Sequence, residues 1–69
     1  MKISVGQLWK EKEPRLKSYD WLLYVLEINE ENDLIRCWCF NMESGLLRKD
    51  LSFTESGITQ QFNLISDVN

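Results

Sequence analysis

Sixty-nine residues, 43% of them hydrophobic and 28% charged, allow one small domain at most. A chain this short buries only about 60% of its unfolded surface, so its stability is marginal. Three Trp, three Phe and two Tyr argue against disorder. The net charge of −3 argues mildly against nucleic acid as the main partner. The longest uncharged apolar run, Trp21 to Leu26, is too short for a bilayer, and no signal-like stretch follows Met1-Lys2. A cytoplasmic protein with no membrane partner is expected.

In chain order, Ile3 to Lys12 reads as a first strand, with Gly6 as a bulge or point of close approach. Glu13 to Asp20 is polar, holds the single proline and reads as a loop. The dominant feature follows: Trp21 to Met42, two long apolar runs around the reversal Glu30-Glu31-Asn32-Asp33. A helix over Leu16 to Ile28 is the alternative, but Trp21 to Leu26 is continuously apolar rather than spaced by three and four. With a four-residue loop at 30–33, Asn29 faces Leu34, Ile28 faces Ile35 and Glu27 faces Arg36. That last pair joins opposite charges, worth about 0.2–1 kcal/mol. A slip by one residue sets Leu26 against Arg36, which is worse.

The next reversal, Glu43-Ser44-Gly45, suits a three-residue loop with Gly in the left-handed region. It pairs Met42 with Leu46, Phe40 with Arg48, Trp38 with Asp50, Cys39 with Lys49, Cys37 with Leu51 and Ile35 with Phe53. Glu55-Ser56-Gly57 reads as a further turn, Ile58 to Ile65 as the last strand, and Ser66 to Asn69 as a frayed tail.

Strict alternation along these strands defines two faces. One carries Leu22, Tyr24, Leu26, Ile28, Ile35, Cys37, Cys39, Leu47, Leu51 and Phe53, and is assigned to the core. The other carries Glu27, Arg36, Arg48 and Asp50, yet also Trp21, Leu23, Val25, Trp38, Phe40 and Met42. That is more apolar bulk than a solvated face needs. Either strand coiling folds part of it into the core, or Trp21, Trp38, Phe40 and Met42, rimmed by Arg48 and Asp50, form a surface for a protein partner or a second copy.

Cys37 and Cys39, two apart, point to one face of a strand. A disulfide between them would close a strained ring. Zinc needs about four ligands, and the chain has two Cys and no His. Reduced, inward-facing thiols are expected, and no metal or cofactor. Without His, an activated nucleophile or a Gly-rich phosphate loop, catalysis is not expected and no small-molecule substrate is inferred. A rival reading takes Lys10, Lys12, Arg15 and Lys17, beside Trp9, Tyr19 and Trp21, as a nucleic-acid site. A third takes Glu30, Glu31 and Asp33 as the acidic tip of an inhibitor that occupies a basic site on a host protein.

The sequence therefore predicts an all-β fold of five short strands in a small barrel. The order of VGQLW, a polar loop, YVLEI, CWCF, a Gly turn and FNLI resembles an SH3-like barrel over residues 3 to 66. Many single-barrel proteins of this length are accessory proteins of bacteria and their phages, an expectation that comes with the resemblance. The acidic, aromatic peptide-binding loop of eukaryotic SH3 domains has no counterpart here, since this loop carries Arg15 and Lys17.

Overall fold

The computed structural model describes residues 3–12 and 20–67. Within them the chain forms β1 (Leu8–Glu11), β2 (Trp21–Asn29), β3 (Leu34–Asn41), β4 (Leu47–Phe53), α1 (Glu55–Gln61) and β5 (Phe62–Ser66). The strands make one antiparallel sheet in the order β4-β3-β2-β1-β5. Hydrogen bonds do not join β4 to β5, so the sheet is not a closed barrel. Most of the loop expected over 13–20 lies outside the described residues.

The β2–β3 hairpin forms in the expected register at its tip: Asn29 opposite Leu34, Ile28 opposite Ile35, Glu27 opposite Arg36. The side-chain oxygens of Asn29 and Asn32 accept from the amides of Glu31 and Leu34 at 3.1 and 3.2 Å, closing the reversal on itself. Asp33 takes the left-handed conformation, φ 57°, which Asp tolerates better than most residues.

Further along β2 the alternation breaks. Val25 faces Cys37 and Glu27 faces Arg36, which leaves Leu26 as an unpaired extra residue. A bulge of this kind swaps the faces of everything beyond it. Leu23 and Val25 are therefore fully buried, and Tyr24 is exposed, the reverse of the strict-alternation assignment. A second bulge lies in β4. Cys37 faces Leu51, but Cys39 faces Arg48 and Phe40 faces Leu47, so the pairs expected for Phe40 and Cys39 are each displaced by one, and the expected Trp38–Asp50 pair falls at the bulge. The backbone of Asp50 absorbs the extra residue at φ 59°. The turn beyond it is four residues long, with Asn41 donating to the Leu46 carbonyl at 2.8 Å. Gly45 holds φ 76° there, as its position in the turn requires.

The N-terminal segment enters regular pairing only at Leu8. Before it the chain turns through Gly6, φ 95°, whose amide reaches the Val25 carbonyl at 2.9 Å. The expected turn and strand start at 55–61 is instead a short helix. Thr54 Oγ1 accepts from the Gly57 amide at 3.1 Å and Glu55 occupies the first turn, two standard helix-start devices. The helix sends Ile58 into the core, and the sequence resumes as strand at Phe62. The tail is also less free than expected: Ser66 ends β5, and Asp67 accepts from Gln7 Nε2 at 3.2 Å.

One face of the sheet, with Ile58 from the helix, holds the core: Ile3, Trp9, Leu23, Val25, Ile35, Cys37, Cys39 and Phe62. Phe53 and Phe62, on either side of the helix, meet edge to face at 6.2 Å. Gln7 is buried at the rim of this core. Its side-chain oxygen accepts from Trp9 Nε1 at 3.2 Å and from the Ser4 amide at 2.9 Å.

Candidate functional site

The face opposite the core is where apolar side chains remain uncovered. Two cross-strand rows occupy it. Leu8 faces Tyr24, which faces Trp38. One step along the strands, Leu22 faces Phe40, which faces Leu47. Together these six side chains line a shallow depression of about 230 Å³ that runs across β1, β2, β3 and β4. Tyr24, Trp38 and Phe40 are 40%, 37% and 40% exposed, far above the buried aromatics of the core. Met42 follows on the same parity, exposed, with its amide bonded to the Asp20 carbonyl.

Of the residues singled out in the sequence, Trp38, Phe40 and Met42 lie on this outer side. Trp21 does not. It faces Asn41 across the sheet and packs against the core cluster, because the Leu26 bulge reverses its parity. Arg48 also leaves the proposed rim: its guanidinium sits 5.9 Å from the centre of the Trp21 ring. Asp50 stays beside the outer face, 3.7 Å from Arg36, which also reaches Glu27 at 3.9 Å. The β4 bulge brings Lys49 over the Trp38 ring instead, Nζ 5.2 Å from its centre, within cation–π range.

Leu8, Leu22, Tyr24, Leu47 and Lys49 were not recognised as site residues from the sequence. The only local signal was Asp50, a left-handed-tolerant residue inside a strand pattern. The apolar run of β2 carried none, since every shift of an unbroken run looks alike.

The basic stretch is partly spoken for. Lys10 lies 3.8 Å from Asp20, and Lys12 Nζ donates to the Thr59 carbonyl at 3.0 Å. Arg15 and Lys17 lie outside the described residues. Glu11, next to Lys10, is held above the usual carboxylate range, chiefly by burial, against a lowering bond from the Trp21 backbone and with a further push from Asp20. The tip carboxylates Glu30, Glu31 and Asp33 are exposed on the far end of the hairpin.

Both cysteines are free and buried. Burial pushes the Cys37 thiol up to about 12, with Cys39 adding to it, and the Cys39 thiol up to about 11 against a lowering effect of Arg48. A thiol held this high carries almost no nucleophilic thiolate at neutral pH. Native labelling by a thiol reagent at pH 8 should therefore proceed only as fast as the fold opens. An unfolded thiol ionises near 9 and the folded ones higher, so the unfolded state binds fewer protons above pH 9. Stability from these two groups is complete below pH 9 and declines as pH rises through 11 to 12. Cys37→Ser, Cys39→Ser should melt with a flatter alkaline profile, read by thermal denaturation between pH 8 and 11; an unchanged slope would refute the assignment.

No group of His, Cys, Asp or Glu among the described residues is placed to hold a metal ion. No protein-family model matches the chain, and no match was found among curated proteins or solved structures.

Proposed function

We propose that this chain is a non-catalytic binding module that engages a protein partner, or a second copy of itself, through the outer face of its sheet. The observation that carries the reading is the two-row apolar depression. Tyr24, Trp38 and Phe40 sit a third or more exposed while the same strands bury a complete core on their other side. Aromatic side chains concentrated on an exposed face mark interaction surfaces. The return of the last strand to the first, after one short helix, supports an SH3-like architecture opened on one side. Two free thiols support a cytoplasmic accessory protein. A nucleic-acid role for Lys10 and Lys12 gains nothing from their engagement with Asp20 and Thr59.

Trp38→Ser and Phe40→Ser test the reading. Each should cost about 1 kcal/mol or less of stability, against about 3–5 kcal/mol for truncating a buried aromatic, while association is lost. Thermal melts and sedimentation of the two variants, with affinity capture from native cytosol, separate the cases. A large loss of stability with unchanged association would refute the assignment of this face.

A further inference from the structure

The shape and charge of the outer face narrow what can cover it, and we infer that its occupant is an acidic amphipathic helix of a protein partner, laid across the strands. This rests on the reading of that face as a binding surface. Four neighbouring strands span about 14 Å from β1 to β4, and the two rows are one two-residue step apart, about 7 Å. The depression is therefore longer across the strands than along them. An extended peptide would run along a strand edge. A helix fits the crossing direction, since apolar anchors at i, i+4 and i+7 span about 10.5 Å.

Charge complementarity supplies the sign. The row Leu8–Tyr24–Trp38 ends at Lys49, whose ammonium lies over the Trp38 ring and has no ion pair among the described residues. Among the carboxylates bordering the face, Asp20 lies against Lys10, and Asp50 and Glu27 lie against Arg36. A second copy docked face to face would bring these same paired groups against Lys49. A helix carrying Asp or Glu one turn beyond its last apolar anchor would offer it a carboxylate of its own.

The test is a displayed library of peptides with leucine at i, i+4 and i+7 and every other position randomised, selected on the immobilised intact chain. Asp and Glu should be enriched over Lys and Arg at one position flanking the anchors by about 1.5- to 5-fold, the range of an exposed ion pair. Selection on Lys49→Glu should reverse that preference, and selection on Phe40→Ser or Tyr24→Ser should recover no binders, with melts confirming that each variant folds. Binders that show no acidic preference, or are indifferent to Lys49→Glu, would overturn the acidic helix and leave the binding face standing. A concentration-dependent dimer abolished by Phe40→Ser, with no peptide recovered, would assign the face to a second copy and overturn the helix. Neither peptide binding nor self-association would overturn both readings.

Discussion

Leu23→Ala should unfold much of this protein, whereas Tyr24→Ala, at the next residue of the same strand, should leave it folded. Leu23 is 0% exposed between Cys39 and the rest of the core, and Tyr24 is 40% exposed on the opposite face. Truncating a fully buried Leu costs about 2–5 kcal/mol through lost burial and the cavity left behind. A chain of this size has about 3–10 kcal/mol in total, so the loss removes a large share of its stability. Tyr24→Ala removes partly solvated area and should cost about 1 kcal/mol. The pair also tests the bulge at Leu26. Strict alternation puts Tyr24 inside and Leu23 outside, so a severe Tyr24→Ala and a mild Leu23→Ala in urea denaturation would show that the bulge is absent.

The second large effect is expected at Asn41, a polar residue that is 2% exposed at the end of β3. Its side-chain oxygen accepts from the amides of Glu43 and Ser44, both at 2.9 Å. Its backbone amide and carbonyl bond Leu46 and Gly45. The side chain thus supplies the acceptor that a tight four-residue turn cannot provide from its own backbone. Asn41→Leu keeps the branching and the number of side-chain heavy atoms and removes the one oxygen that both amides share, so it should cost about 1–3 kcal/mol, the penalty for stranding part-buried donors. Amide exchange at Gly45 and Leu46 should rise beyond the change in global stability, because the turn loses what selects its length. Protection at those two amides unchanged from the parent would show that the backbone alone holds the turn.

The hairpin itself was legible in the sequence because its signals were local and agreed with one another. The four-residue acidic reversal, the Glu27–Arg36 match and the shared parity of Trp38 and Phe40 all follow from chain order and a period of two, whereas the sequence alone leaves the exposure of those two aromatics open. The left-handed Gly45 and the inward thiols were legible for the same reason. These features depend on residues within a few positions of one another or directly across one turn.

What the sequence left open was decided by the rest of the molecule. A bulge inserts one residue at small local cost, so no local signal sets it against regular pairing. At Leu26 the choice is made by burial. One extra residue lets Leu23 and Val25 join Ile35 and Cys37 inside while Glu27 keeps Arg36 outside. In β4, the Lys49–Asp50 bulge lets Cys37 keep Leu51 at one end and Asn41 keep Leu46 at the other. Over 55–61 the helix wins because it carries Ile58 into the core and delivers Phe62 to β5 beside β1. The sequence by itself determined the β2–β3 hairpin, its tip and which residues share the outer face of β3. Only the tertiary structure decided which half of β2 joins it there, because the side that each residue of an unbroken apolar run presents is set by what the opposite ends of the sheet must bury together.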